Sequence, residues 1–223
     1  MTATLEVGDA AGVLVELSRD AGLAVVGTRG RGGFADRMLG TVSSALPAHA
    51  YCPTVVVPAR EGRDVLAPIR SIAVGVDGSD GSALALGRAI DEATLWDAEL
   101  TAVTAAPLSV GTGLMAVVPP TLDRQAVLAD VSAALDVEVD TVLAGRDIDV
   151  KRYVIEGAGA EVLTAVSESV DMLVVGTRGR GGFAGLLLGS TSQTLLYHSQ
   201  CPLLVVPARV GEEEFRTTTR KRP

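Results

Sequence analysis

The chain has 223 residues, of which 48% are hydrophobic and 21% charged, a composition typical of a folded globular protein and not of a disordered one. Only 3% of the residues are aromatic, so aliphatic side chains must build the core. No apolar run reaches the roughly 18–20 residues that cross a bilayer, and no signal-peptide pattern is present, so we expect a cytoplasmic protein with no membrane partner. The net charge of −8 argues against a nucleic-acid partner, which would require a basic surface.

An internal repeat organises the chain. Residues 8–60 match residues 157–209 at a constant offset of 149, with 28 of the 53 positions identical. Nothing similar to residues 70–150 precedes the first copy. The sequence therefore predicts four segments, which are a partial unit at 1–60, a linker at 61–69, a complete unit at 70–208 and a disordered tail at 209–223.

Strands and helices alternate in the complete unit. An aliphatic strand at 71–77 ends in Asp-Gly-Ser, and the following helix at 82–98 has Ser79 or Ser82 as its candidate N-cap. One face of that helix carries Leu84, Ala85, Ala89, Ala93 and Trp96. Further strands are predicted at 100–106, 150–155, 172–176 and 203–207, further helices at about 121–145, 159–169 and 190–199, and a loop at 107–120. This alternation predicts an α/β fold in which a parallel sheet has helices on both faces.

Both copies contain a glycine pattern of the form Gly-x2-Gly-x9-Gly-Ser/Thr. It comprises Gly27, Gly30, Gly40 and Thr41 in the first copy, and Gly176, Gly179, Gly189 and Ser190 in the second. Glycines at a strand exit permit close approach of the backbone to a ligand, and a helix that begins at Ser190 offers free N–H groups to a phosphate. Arg178 can offset phosphate charge. The alternative interpretation of these glycines is a flexible loop with tight turns.

Other motifs are weaker. GRGGFA at 30–35 and 179–184 fits a dinucleotide fingerprint formally, but no acidic residue follows about 20 positions later, and no P-loop lysine is present. The two histidines, His49 and His198, are equivalent in the repeat and indicate a structural or surface role. Cys52 and Cys201 form no metal-binding motif, and Cys201 is predicted to be a core residue. We expect neither a catalytic group nor a protein-held metal.

Three features together resemble the universal stress protein family. They are the first strand ending in Asp77 with Ser79 and Ser82 behind it, the glycine pattern at 176–190, and the closing CPLLVVPAR. The resemblance covers residues 70–208 as a whole domain and 4–60 as the latter part of a second one. It implies a five-stranded parallel sheet of order 3-2-1-4-5, membership of an ATP-binding subgroup, and dimerisation through the last strand.

The implied site lies where Asp77 and Gly176 end adjacent strands of that sheet. The resemblance places Val76, Asp77 and Ala105 at the adenine and ribose end of ATP. It places Gly176, Gly179, Gly189, Ser190 and Thr191 at the phosphates. Gly78, Ser79 and Arg178 complete the candidate nucleotide-binding set, and Mg²⁺ would arrive with ATP.

The sequence thus predicts a nucleotide-responsive stress or signalling protein without catalytic machinery. A slow ATPase or nucleotidyl-transfer enzyme of similar fold, and a ligand-free dimerisation protein, remain alternatives. Strands 54–58 and 203–207 are candidates for pairing with each other, either in an intrachain pseudo-dimer or in a homo-oligomer. The first copy lacks an equivalent of Asp77, so we expect no independent ATP site there.

Overall fold

The computed structural model describes residues 3–28, 39–59, 68–107, 123–181 and 187–208. The predicted linker, loop and tail fall largely outside these ranges, as does Gly30. The described residues contain six helices and seven strands. The helices are α1 (Ala10–Leu17), α2 (Thr41–His49), α3 (Asp80–Trp96), α4 (Arg124–Leu143), α5 (Gly159–Val166) and α6 (Ser190–His198). The strands are β1 (Ala24–Gly27), β2 (Thr54–Val57), β3 (Ser71–Gly75), β4 (Glu99–Ala106), β5 (Val150–Glu156), β6 (Met172–Gly176) and β7 (Leu203–Val206).

All seven strands form one mixed sheet in the order β1-β2-β7-β6-β3-β4-β5. Strand β3 pairs in parallel with β4 on one side and with β6 on the other. Strands β5 and β7 extend the sheet in parallel beyond these neighbours. The sequence predicted a five-stranded parallel sheet preceded by a partial copy, whereas the structure joins both parts in a single sheet.

The two copies of the repeat meet at β2 and β7. These strands pair antiparallel, with Thr54 opposite Val205 and Val56 opposite Leu203. They are the two segments that the sequence suggested for mutual pairing. Their side chains are almost completely buried, so this junction belongs to the core of the protein and covers one edge of each copy.

Helices cover both faces of the sheet, as predicted. On one face, α3 and α4 pack against the sheet through small and aliphatic residues such as Ala89, Ile90 and Val139. On the other face, Leu163 of α5 and Leu195 of α6 contribute to a second core cluster. Aliphatic side chains build both clusters, in keeping with the low aromatic content.

The start of α3 is fixed by two serines. Ser79 is the N-cap, and its hydroxyl accepts a hydrogen bond from the backbone N–H of Ser82, while the Ser82 hydroxyl accepts one from the Ser79 N–H. Ala85, Ala89 and Ala93 of the predicted helix face are buried. Trp96 continues that face as the last residue of α3, but it is not buried. Trp96 is 44% exposed at the end of α3, where its indole N–H donates to Glu92.

Candidate functional site

A cavity of about 450 Å³ opens at the carboxyl edge of the sheet, between the N-termini of α3 and α6. Nine of the eleven predicted site residues line it, namely Val76, Asp77, Ala105, Gly176, Arg178, Gly179, Gly189, Ser190 and Thr191. The other two, Gly78 and Ser79, are not in its lining. Gly78 forms the turn after Asp77 with a φ of 76°, and Ser79 caps α3. The predicted set is therefore gathered in one place.

Ten further residues line the cavity, and the sequence did not indicate them as site residues. They are Gly75, Ser82, Val103, Pro107, Gly159, Leu163, Val175, Gly181, Leu188 and Ser192. Several of them end a parallel strand or begin the helix that follows it. A search of every strand-to-helix connection at the carboxyl edge would have found Pro107 and Gly159, because such connections converge on the same rim of the sheet.

Asp77 is held by donors from its own chain. Its Oδ1 accepts hydrogen bonds from the Ser79 hydroxyl at 2.6 Å and the Ser79 N–H at 3.1 Å. Its Oδ2 accepts one from the backbone N–H of Arg180 at 3.0 Å. Burial is the largest single influence and raises the pKa of Asp77, but these hydrogen bonds together outweigh it and hold that pKa below its ordinary value of 3.8. The cavity thus contains a fixed carboxylate.

Two glycines of the pattern are required by contacts within the chain. A Cβ at Gly176 would lie 2.6 Å from the carbonyl oxygen of Gly81, and a Cβ at Gly179 would lie 2.1 Å from Oδ2 of Asp77. From the sequence, these glycines were expected to admit a ligand. In the structure they allow the exit of β6 to pack against the start of α3 and the Asp77 carboxylate.

Gly189 has a different environment. It is the N-cap of α6, and its N–H donates to the carbonyl oxygen of Thr177 at 2.7 Å. A Cβ at Gly189 would have no protein atom closer than 3.6 Å. No side chain caps α6, and Ser190 and Thr191 begin the helix in the cavity wall. The positive end of the helix dipole and the first N–H groups of α6 can therefore receive an anion.

Part of the cavity wall is apolar. Val103 and Ala105 of β4, Leu163 of α5 and Val175 of β6 line it. The described lining contains no aromatic ring, so a flat ligand would pack here between aliphatic side chains. Polar and apolar regions in one cavity suit a ligand that has an anionic end and an apolar end.

Glu138 of α4 is a charged neighbour that the sequence did not indicate. Its Oε1 accepts a hydrogen bond of 2.9 Å from the hydroxyl of Ser82, a residue of the cavity wall. Burial, the largest cause, and the nearby charge of Asp77 raise the pKa of Glu138 above its ordinary value of 4.5, against the lowering effect of the Ser82 hydrogen bond. Two carboxylates with oppositely shifted pKa values therefore flank the start of α3.

The family of the chain follows from sequence comparison. The family model described as "Universal stress protein family" matches residues 2–58 and again residues 68–207. The chain belongs to the universal stress protein family.

Curated universal stress proteins of Mycobacterium tuberculosis are similar to it. Rv2623 is 35% identical over 195 residues, and Rv2005c is 36% identical over 197 residues, each alignment covering 86% of this chain. These alignments cover 63% and 64% of the two relatives, so this chain spans less than two thirds of their length.

Solved universal stress protein structures share the fold. One from Archaeoglobus fulgidus superimposes with a TM-score of 0.65 at 21% identity, over 90% of this chain and 68% of that one. A universal stress protein solved in complex with cAMP is 27% identical, with a TM-score of 0.48 over 64% of this chain and 99% of that one.

Two further observations concern the described part of this universal stress protein. None of its helices there is long and apolar enough to span a bilayer. No group of three or more histidine, cysteine or acidic side chains comes together in those same ranges as metal ligands would. His49 and His198 end α2 and α6 and are exposed, and Cys201 is buried before β7.

Proposed function

We propose that residues 70–208 form a nucleotide-binding domain that holds one adenine nucleotide, with ATP as the principal ligand, in the cavity between α3 and α6. One observation carries this proposal. The same cavity contains the N-terminus of α6, which has no side-chain cap, and an apolar wall. Its volume of about 450 Å³ lies within the range of pockets that enclose small organic ligands.

The phosphates would lie against the start of α6. The N–H groups and hydroxyls of Ser190 and Thr191 are suitable donors there, and the helix dipole favours negative charge. Arg178 lines the same cavity and adds a positive charge. Asp77 is the one carboxylate among the described lining residues, and hydrogen bonds already occupy both of its oxygens. A Mg²⁺ ion would thus be held mainly by the phosphates of ATP.

The adenine would occupy the apolar part, near Val103, Ala105 and Val175. Asp77 lines the same cavity and accepts a hydrogen bond from the Arg180 N–H, and its carboxylate remains ionised because its pKa is lowered. The remaining lone pair of its Oδ2 can accept a hydrogen bond from a ribose hydroxyl. In this arrangement β4, β3 and β6 lie side by side in the sheet. We interpret them as the second, first and fourth strands of the complete unit, which are the central strands of the 3-2-1-4-5 order.

We assign the nucleotide a regulatory role as the signal of a stress-response protein. The described residues of the cavity offer hydrogen-bond donors and a fixed carboxylate but no histidine or cysteine that would act as a base or nucleophile. Because β7 pairs with β2 in the same chain, the two copies form an intrachain pseudo-dimer at that edge.

Titration calorimetry on the full chain tests the proposal, with ATP, AMP and cAMP as ligands. Gly189→Val would place a branched side chain in the phosphate region without a backbone clash, and Gly40→Val makes the same change at the N-cap of α2 in the first copy. We expect one ATP per chain, an affinity at least tenfold lower in Gly189→Val, and an unchanged affinity in Gly40→Val.

Three outcomes would contradict the proposal. If titration of the unmutated protein gives no binding heat with any of the three nucleotides, the proposed nucleotide binding is ruled out. Equal losses in both variants would place the ligand elsewhere. Release of inorganic phosphate from ATP above background, lost in Gly189→Val, would replace the regulatory role with a catalytic one.

A further inference from the structure

Strand β5 forms one end of the sheet in the described part of the chain, where it pairs with β4 alone. The N–H of Gly157, just after β5, donates to the carbonyl oxygen of Ala106 in β4 at 3.0 Å. Alternate residues of a strand in a parallel pair bond to the same neighbour, so Arg152, Val154 and Glu156 direct their N–H and C=O groups to the open side. This edge therefore offers a row of backbone donors and acceptors to another strand.

One face of β5 carries exposed apolar side chains. Tyr153 is 54% exposed and Ile155 is 38% exposed, and the alternation of a strand places both on the same face. On that face α5 packs over β4, with Leu163 and Val103 in one core cluster, and this cluster contains no described residue of β5. Tyr153 and Ile155 thus form an uncovered apolar strip at the edge of the described sheet.

The other face of β5 carries ion pairs with α4. Arg152 donates hydrogen bonds to the carboxylates of Asp136 and Asp140. Glu156, four residues later on the same face, pairs with Arg124. The strand therefore has a positive side chain near its start and a negative one at its end, and each is joined to α4 side chains of the opposite sign.

We propose that the β5 edge binds a second copy of this chain, with the two β5 strands antiparallel about a two-fold axis at Val154. Arg152 of one copy then lies opposite Glu156 of the other, and these residues form hydrogen-bonded pairs through their backbones. Tyr153 lies opposite Ile155 in the closer, non-hydrogen-bonded pairs between them. This proposal does not depend on the nucleotide site.

Charge and side-chain type select this register. An axis at Val154 brings together opposite charges and an aromatic and β-branched pair, both of which favour cross-strand pairing. An axis at Arg152 would place two like charges opposite each other. An axis at Tyr153 would place Lys151 opposite the apolar side chain of Ile155. The register at Val154 therefore satisfies both faces of the strand.

The same register connects the ion pairs of the two copies. Glu156 of one copy, which is paired with Arg124, faces Arg152 of the other copy, which is paired with Asp136 and Asp140. The signs alternate along this series of side chains, so the α4 helices contribute attraction across the axis. Strand β7, to which the resemblance assigned dimerisation, already pairs with β2 in the same chain, so the proposed dimer uses a different strand.

Sedimentation velocity of the full chain over a range of concentrations tests the proposal. Tyr153→Lys adds a charge to the apolar strip, and Tyr197→Lys is the matched control, because Tyr197 in α6 is 51% exposed. We expect a reversible dimer whose dissociation constant rises by roughly tenfold or more in Tyr153→Lys, since the interface would bury the added charge. The dissociation constant should be unchanged in Tyr197→Lys.

Disulfide trapping tests the register. Oxidation of a mixture of Tyr153→Cys and Ile155→Cys chains should give a cross-linked dimer. Either variant alone should give little, because equal positions are offset by two residues and Cα atoms more than about 7 Å apart cannot be bridged. The native Cys52 and Cys201 are buried, so the unmutated chain supplies the background.

A chain that sediments as a monomer at every concentration would overturn the proposal, and so would a dimer that both lysine variants weaken equally or that neither weakens. Slow amide exchange at Val154 in the monomer would also overturn it, because the edge would then be covered within the chain. Efficient cross-linking of Tyr153→Cys alone would contradict the axis at Val154.

Discussion

The backbone N–H of Arg180 donates a 3.0 Å hydrogen bond to Oδ2 of Asp77, although the two residues are 103 positions apart in the chain. This bond joins the exit of β3 to the exit of β6. The Ser79 hydroxyl and N–H bind the other carboxylate oxygen, so Asp77 links the start of α3 to the glycine loop. The carboxylate therefore acts as a structural clamp as well as a candidate ribose ligand.

The first prediction concerns Asp77→Asn. An asparagine amide cannot accept hydrogen bonds at both ends, so one of the Ser79 and Arg180 donors would lose its acceptor. We expect the free energy of unfolding at pH 7 to fall by about 1 kcal/mol, a small loss because Asp77 is partly exposed. Urea denaturation measures it, and Asp80→Asn, an exposed change three residues later, is the control.

The stability lost in Asp77→Asn should depend on pH, and it should be smaller in acid than at pH 7. Because the pKa of Asp77 is below 3.8 in the folded protein, the unfolded chain takes up the proton first as the pH falls. The stabilisation is present above pH 3.8 and disappears as the pH falls through the folded-state value. The difference between wild type and Asp77→Asn should therefore shrink in acid. A constant difference from pH 7 to pH 3 would show that the charge of Asp77 contributes nothing.

The second prediction separates two glycines of one motif. Gly176→Ala forces a Cβ to within 2.6 Å of a backbone oxygen that cannot rotate away, whereas Gly189→Ala meets nothing closer than 3.6 Å. We expect Gly176→Ala to lower the free energy of unfolding by about 1–3 kcal/mol or more, the range of overpacked cores, and Gly189→Ala to change it by less than about 1 kcal/mol. Thermal and urea unfolding of both variants would test this, and similar losses in the two would contradict the assigned contacts.

These glycines also show what could not be predicted from the sequence. The spacing indicated a close approach at the strand exit, and the structure has one, but residue types alone cannot say whether the approaching atom belongs to a ligand or to Gly81. The N-cap serine and the alternation of strands and helices were predictable because each depends on a few neighbouring residues.

Longer-range features were not predictable in the same way. Glu138 lies in the middle of α4 with no local motif, and it reaches Ser82 only because α4 packs beside α3. The exposure of Trp96 depends on which elements cover the end of α3, which helical periodicity does not encode, whereas its hydrogen bond to Glu92 is a local i,i+4 contact. Both features required the tertiary arrangement.

The third prediction tests the charge at the phosphate end. Arg178→Gln removes the cation that lines the cavity. If ATP is bound as proposed, we expect its affinity to fall roughly three- to tenfold, with a smaller effect on AMP because AMP carries fewer phosphates. The effect should decrease at high salt. Arg146→Gln, which breaks an exposed ion pair with Asp91, is the matched control and should leave both affinities unchanged. Equal effects on ATP and AMP would place Arg178 away from the terminal phosphates.

The fourth prediction concerns Glu138→Gln. The raised pKa of Glu138 means that the folded protein retains a proton that the unfolded chain has already lost, so ionisation of Glu138 opposes folding as the pH rises above 4.5. The glutamine keeps an oxygen for the Ser82 hydroxyl without a charge. We therefore expect Glu138→Gln to match the wild type near pH 4 and to exceed its stability at pH 7 by less than about 1 kcal/mol, since Glu138 is only partly buried. Urea denaturation across this range measures the difference, with Glu168→Gln, an exposed position beyond α5, as the control for net charge.

A double variant identifies the source of that effect. The charge of Asp77 is one cause of the raised pKa of Glu138, so removing it with Asp77→Asn should reduce the gain from Glu138→Gln at pH 7. The part of the gain that remains is due to burial, which is the larger cause. If the two substitutions were strictly additive, the carboxylates would not interact across the start of α3. Burial would then be the cause that raises the pKa of Glu138, against the lowering effect of the Ser82 hydrogen bond.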